Sequence, residues 1–386
     1  SLMDPIYLDH AATTPVRPEV FAAMAPYFGP RFGNPSSTHR WGREARTALD
    51  EARERVAQCL SAQVDEVVIT SGGTEADNLA VLGGWRTLRT GERHTIVTSP
   101  IEHKAVLAAV HQAAEEGATE RHLRMLPSGV VDLDDADAAI GDDTALVSVM
   151  WVNNETGVIQ PIPELVALAK SRGAEIHTDA VQAFGKMAID TRTLLVDFLS
   201  LSGHKLGAPK GVGAMFVRRG TPVAPLFFGG SQCRGRRPGT ENVANAVALA
   251  TAMELTLAEQ ASETRRLTAL RDHLEGALRE AIPDVVIHGA EAPRSPHVTC
   301  LSIPGTDAET MLMALDMAGI AASGGSACQS GSVGASHVLS AMGVPPELAN
   351  AQLRLSIGAL TTPADIERVA LVLPQLAAKA RATSPV

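Results

Sequence analysis

The chain has 386 residues, 45% apolar, 20% charged and 3% aromatic, which excludes a collagen-like, a disordered or a disulfide-rich miniprotein chain. Its 33 Lys and Arg against 43 Asp and Glu, a net charge of −10, argue against direct nucleic-acid binding through a broad phosphate footprint. Four cysteines with no C-x-x-C pair give neither a zinc site nor a disulfide framework, so no metal is expected.

The first residues show no basic-then-apolar leader, and no apolar run approaches the roughly 20 residues of a membrane span, so a cytoplasmic protein with no membrane partner is expected. The first clear element is a helix over Arg40–Leu60, which puts Trp41, Ala45, Leu49, Ala52, Val56 and Leu60 on one core-facing stripe. From Asp65 to Arg218 short β-rich runs alternate with helical ones. Strands are predicted at Glu66–Thr70, Thr95–Thr98, Ala145–Trp151, Ala174–Thr178 and Val196–Ser202. Helices are predicted at Thr74–Leu88, Glu102–Glu116 and Pro163–Arg172, the last two stopped by Gly117 and Gly173. This is the pattern of βαβ units on a parallel sheet. After Thr240 an Ala- and Leu-rich helix runs to about Ala281. Strand-like Asp284–His288, His297–Ile303 and Gln352–Ile357 follow, with helices at Ala308–Met317 and Pro363–Ala382. The Ser- and Gly-dominated stretch Ala321–Ser336 reads as a mobile loop. A domain junction inside the long helix divides the chain into a large domain, 16–260, and a small α+β domain made of 1–15 and 261–386.

Chemistry is densest where strands end. Lys205 follows the apolar run Leu199–Ser202, where desolvation would lower its pKa and free a neutral amine for an aldehyde; alone, such a lysine more often snorkels to the surface. Asp179 ends the preceding strand and can keep a pyridinium nitrogen protonated. Together they ask for pyridoxal phosphate, which also needs donors for its phosphate. Thr70-Ser-Gly-Gly-Thr-Glu75, between a strand and a helix, offers the backbone of Gly73 and Thr74 and the Thr74 hydroxyl, although such a turn is also an ordinary connection. Ser202 and His204 can add phosphate hydrogen bonds. His103, at a helix start, can stack on the ring and carry a proton, or be a plain surface group. Asn154 can donate to the ring oxygen, or serve a turn.

The motifs Ser-Gly-Gly-Thr-Glu-Ala-Asp-Asn at 71–78, Glu102-His103, Val-Asn-Asn-Glu-Thr-Gly at 152–157, His-Thr-Asp-Ala-Val-Gln at 177–182, Ser-Gly-His-Lys at 202–205 and Arg-Arg-Pro-Gly-Thr-Glu-Asn at 236–242 resemble the cysteine desulfurases of the NifS/IscS type, nearly end to end. The resemblance implies a pyridoxal-phosphate-dependent transferase of fold type I, with a mostly parallel, seven-stranded sheet and a smaller α+β domain. It adds Gln182 to the cofactor-binding set and makes Arg354 the clamp for the substrate carboxylate, with Asn154 and Asn34 beside it. Cys328, in Ala322-Ser-Gly-Gly-Ser-Ala-Cys-Gln-Ser-Gly331, resembles the persulfide-forming cysteine of that family. Cys59, in a helix, and Cys300, in a strand, read as inert packing residues, and Cys233 stands where the family commonly has glutamate.

The implied reaction takes sulfur from L-cysteine and releases L-alanine, with Lys205 removing the α-proton, Cys328 attacking the sulfur and His103 supplying a proton. Thr240 would reach the phosphate of a neighbouring subunit, with Arg234, Arg236 and Arg237 nearby, implying a homodimer. The implied acceptor is an iron–sulfur scaffold or a tRNA-thiolation protein. Other class V enzymes, a selenocysteine lyase or an aminotransferase, share Lys205 and Asp179. A Ser–Lys hydrolase fits Ser202-x-x-Lys205 formally but lacks the companion S-D-N and K-T-G motifs, and a non-catalytic sulfur-transfer partner is the binding-module alternative.

Overall fold

A short strand β1 (Ile6–Tyr7) precedes β2 (Val67–Thr70), β3 (Thr95–Thr98), β4 (Thr119–His122), β5 (Thr144–Ser148), β6 (Glu175–Asp179), β7 (Phe198–Ser202) and β8 (Gly213–Val217) in the computed structural model, which describes residues 4–325 and 335–383. Strands β2 to β8 form one seven-stranded sheet in the order β2-β8-β7-β6-β5-β3-β4. All neighbouring pairs are parallel except those of β8, which runs antiparallel to both β2 and β7. The reason is connection length: the short segment from Ser202 to Gly213 contains only one tight turn, too little for the helical crossover that a parallel neighbour requires. Strands β3, β5, β7 and β8 are buried along their whole length, as expected of a sheet covered on both faces.

The helices fall close to their predicted positions, at Arg40–Cys59, Lys104–Glu115 and Ile162–Ser171. Gly117 and Gly173 follow the last two with φ of 115° and 72°, the left-handed stop that glycine takes without a Cβ penalty. Two expectations are corrected. Trp41 is 49% exposed, because the first turn of its helix overhangs the core that receives Ala45, Leu49, Ala52 and Val56. The helix predicted over 74–88 widens to π geometry at Leu79–Gly83 between α-helical Gly73–Asn78 and Gly84–Leu88, where Gly84 lets the Phe198 ring approach to 3.0 Å of a Cβ position.

The helix Val243–Ala281, about 58 Å long, joins two apolar cores. Its first half, Val243 to Met253, packs with the helices under the large sheet. Its second half, with Leu267, Leu270, Leu274 and Leu278, packs on β9 (Val286–Ile287), β10 (Val298–Ser302), β11 (Ile320–Ala321) and β12 (Gln352–Ser356) and the helices Ala308–Met317 and Pro363–Thr383. There β10 lies between β9 and β12, antiparallel to both, while β11 pairs in parallel with β1. Strands β2, β3, β5, β6 and β7 run the same way, so their C-terminal ends share one edge of the sheet, where open α/β sheets place ligands.

Candidate active site

Lys205 closes the tight turn Gly203–Lys205 just past β7. Its ammonium is deeply enclosed and donates to the carbonyls of Ala11 and Ala12, the latter at 2.8 Å. Burial, reinforced by the nearby Arg354 guanidinium, pulls its pKa down to about 8, against the pull of Asp9 and Asp179. Asp179 ends the adjacent strand, its Cα paired with that of Ser200, and is buried with Oδ1 accepting from the Val181 N–H at 3.0 Å. Gln182, one turn on, donates to the Ala11 carbonyl at 3.1 Å and accepts from His297 Nε2 at 2.9 Å, so lysine and glutamine share one anchor.

The turn after β2 is built for a close visitor. Gly72 caps the following helix at φ 155°, ψ −176°, a conformation essentially restricted to glycine. A Cβ on Gly73 would stand 3.2 Å from Val181 and 3.4 Å from Ser202 Cβ, so the Gly73 backbone faces the ends of β6 and β7. Thr74 is exposed at the helix start, while buried Glu75 accepts from Ser71 N–H at 2.9 Å and grips Arg237 through two bonds of 3.0 Å. Burial alone would raise the Glu75 carboxyl; Arg237 and Ser71 hold it below its ordinary value. Ser202 is buried beside this turn. The His204 ring meets Thr13 Oγ1 at 3.0 Å, and burial lowers it to about 4, so it is a neutral hydrogen-bonding group there.

His103 caps the helix Lys104–Glu115, its Nδ1 accepting from Ala105 N–H at 3.1 Å, which leaves the proton on Nε2. Crowding by protein lowers its pKa, opposed by Asp179, and its ring edge still opens to solvent. Arg354 on β12 is no surface arginine: it is 2% exposed, donates to the Asn154 carbonyl at 2.9 Å and pairs with Asp9 at 3.0 Å, leaving Nε without a partner among the described residues. Asp9 also accepts from Ser323 at 2.8 Å, immediately before the Ser- and Gly-rich segment. Asn34 is not brought to this group among the described residues; it is exposed and its Oδ1 closes a turn with Ser36 N–H at 2.9 Å. Thr240 is exposed and lines a cavity of about 260 Å³ with Thr70, Ser71 and Arg237. Cys328 lies outside the described residues.

Two buried acids were present in the quoted motifs but given no role. Glu102 is fully enclosed, bonded to the Ser99 hydroxyl and to Met150 N–H at 2.8 Å, and burial lifts its carboxyl to about 8. Asp77 is buried with Oδ1 3.5 Å from His177 Nε2, and burial and the charge of Asp179 raise its carboxyl. The signal was its spacing, three and four residues before the buried Ala80 and Val81, which puts it on the apolar face of the helix.

Among the described residues no cluster of three or more His, Cys, Asp or Glu suits a metal, and no helix is long and apolar enough to cross a membrane. A glycine turn that a side chain would fill, an amine poised near pH 8 and a buried carboxylate at the next strand end are the donor set of pyridoxal phosphate, and the residues present fit it.

The family model described as Aminotransferase class-V matches residues 6–369. The chain is 44% identical over 380 residues to cysteine desulfurase IscS of Dictyoglomus turgidum, covering 98% of this chain and 96% of the relative. It is 43% identical over 384 residues to cysteine desulfurase NifS of Azotobacter vinelandii, covering 99% and 95%. Among solved structures, a NifS-like protein superposes with a TM-score of 0.90 at 33% identity, covering 97% of this chain and all of that one. DndA from Streptomyces lividans gives a TM-score of 0.75 at 38% identity, covering 91% and 99%. On these matches the chain belongs to the class-V aminotransferases and, within them, to the pyridoxal-phosphate-dependent cysteine desulfurases.

Proposed function

We propose that this cysteine desulfurase moves the sulfur of L-cysteine onto Cys328 as a persulfide, releases L-alanine and hands the sulfur to an acceptor protein of iron–sulfur cluster assembly or tRNA thiolation. The observation that carries the reading is the meeting of a desolvated Lys205 with Asp179 and the Gly73 turn at one sheet edge, in a chain of this family. When bound, pyridoxal phosphate supplies an aldehyde that takes amines and a ring that accepts electrons from the substrate Cα. Asp179 would hold the ring nitrogen protonated, and Gln182, Ser202, His204, Gly73 and Thr74 would hold the ring oxygen and phosphate. Arg354 takes the substrate carboxylate, with Asn154 beside it; its guanidinium is pre-aimed by Asp9 and the Asn154 carbonyl. Lys205, as the neutral amine, removes the α-proton. The Cys328 thiolate attacks the substrate sulfur; the S–S bond forms as the C–S bond breaks, and His103 protonates the departing carbon through Nε2–H. The balance is a thiol plus cysteine giving a persulfide plus alanine, with no outside oxidant. We place the domain division at 16–260, with 1–15 and 261–386 together; the core that joins Ile6 and Leu8 to residues from Leu267 to Ala377 supports it, although Cys300, Val338, Leu339, Met342 and Ala349 pack into the core of the large sheet.

The active assembly is a homodimer in which Thr240 serves the partner's phosphate. Five of the eight phenylalanines, Phe21, Phe28, Phe32, Phe227 and Phe228, are exposed, as is Trp41, an apolar surface that a second copy would cover. The compartment we assign is the cytoplasm.

The visible spectrum of the purified protein before and after L-cysteine, with mass analysis of the Cys328 peptide, tests this reading. A cofactor band that changes on adding cysteine, stoichiometric alanine and one added sulfur on that peptide are expected. Alanine formed while the peptide stays unmodified would refute it.

Two further outcomes follow from the site. Gly73→Val should weaken cofactor affinity by about tenfold or more, since the side chain occupies space already bounded at 3.2 Å by Val181. Equilibrium titration of the apoprotein with cofactor measures it. The rate at which the apoprotein captures the cofactor should rise with pH and level off above about 8, because only the unprotonated Lys205 reacts and its pKa is depressed to that value. Stopped-flow absorbance reads that profile; a flat rate between pH 6 and 9 contradicts it.

A further inference from the structure

Asp77 is a buried acid that the reaction above does not use. It lies on the helix after β2, 1% exposed, with Oδ1 3.5 Å from His177 Nε2; Asp179, two residues after His177, is on the same face of β6 and is paired with Ser200, whose hydroxyl meets the His177 ring, so the two carboxyls are buried neighbours. The titratable groups facing it are Asp179 and His177 from β6 and Glu102 from the loop after β3. Among the described residues no lysine or arginine nitrogen comes within ion-pair distance of it. His177 is not a counter-ion: its Nε2 stands 3.5 Å from Asp77 Oδ1, its two nitrogens meet the Ser148 and Ser200 hydroxyls at 2.7 and 2.8 Å, and burial lowers it to about 4, leaving it neutral.

If both aspartates were carboxylates, two like charges would be neighbours in a desolvated interior, and Asp77 Oδ1 would meet no donor among the described residues. One proton between them removes both defects. Asp179 Oδ1 already receives the Val181 N–H at 3.0 Å, whereas among the described residues Asp77 Oδ1 meets no donor, so the shared proton belongs on Asp77.

We propose that Asp77 is a positioning residue for Asp179: it stays protonated, donates its O–H to Asp179, and leaves Asp179 a single fixed carboxylate turned toward the cofactor's ring nitrogen. The inference rests on the reading of Asp179 given above. Desolvation and Asp179 raise the Asp77 carboxyl well above the usual range, in the same sense.

The test is the infrared difference spectrum of the holoenzyme at neutral pH, wild type minus Asp77→Asn, with Glu102→Gln as the second variant. A deuterium-sensitive carbonyl band of a protonated carboxyl, lost in Asp77→Asn and kept in Glu102→Gln, is expected. No such band, or one lost only in Glu102→Gln, overturns the proposal. Asp77→Ala should lower kcat about tenfold or more and shift the pH titration of the bound cofactor's absorbance, the worth of one hydrogen bond to a charged group. Asp77→Asn, which restores a neutral donor, should recover kcat to within about threefold of wild type. An asparagine variant as impaired as the alanine one would overturn the donor role. Full cofactor binding and turnover by Asp179→Asn would instead remove the reading of Asp179, while the infrared band reports on Asp77 alone.

Discussion

Replacing Lys205 by alanine is expected to lower the rate of alanine formation from L-cysteine by at least ~10³-fold, the scale of losing a positioned base together with its covalent anchor. The residue serves two ends from one place. Its amine is anchored on the Ala11 and Ala12 carbonyls and brought by burial to about 8, so that a substantial neutral fraction exists near physiological pH. An unperturbed lysine near 10.4 would offer less than about one part in a thousand at pH 7. Borohydride reduction followed by peptide mapping should label the peptide containing Lys205 in the wild type and no peptide in the variant. Lys205→Arg should fail equally, because a guanidinium does not release its proton in this range. Activity within tenfold of wild type in either variant would exclude the assignment.

Cys328→Ser should abolish persulfide formation and cut alanine formation by at least ~10²-fold, while the variant still binds cofactor and still changes colour with L-cysteine. The structure narrows the alternatives. Burial pushes the Cys300 thiol up to about 12 and the Cys59 thiol up to about 11, so fewer than about one molecule in a thousand carries either thiolate at neutral pH. Cys233 lies near Val67, at the start of β2, with Arg236 Nη2 3.6 Å from its sulfur, whereas Gly73 lies beyond the other end of that strand. Cys233→Ser should therefore keep alanine formation within about twofold. Alanine assays on the two serine variants, side by side, decide the matter: loss in Cys233→Ser with retention in Cys328→Ser would reverse the assignment.

Sequence by itself determined the alternation of strands and helices, because side-chain period and glycine stops are local properties, and it therefore located Lys205, Asp179 and the Gly72–Gly73 turn at strand ends. It also carried the family resemblance, which rests on short contiguous motifs. Only the tertiary structure decided which groups lose their water and which distant atoms meet. Arg354 pairs with Asp9 across 345 positions, Gln182 meets His297 across 115, and Asp77 meets His177 only once the helix after β2 packs on the sheet. The overhanging Trp41 and the depressed Lys205 amine share that origin. Desolvation and strand pairing are sums over neighbours far away in the chain, and no local pattern of residues contains them.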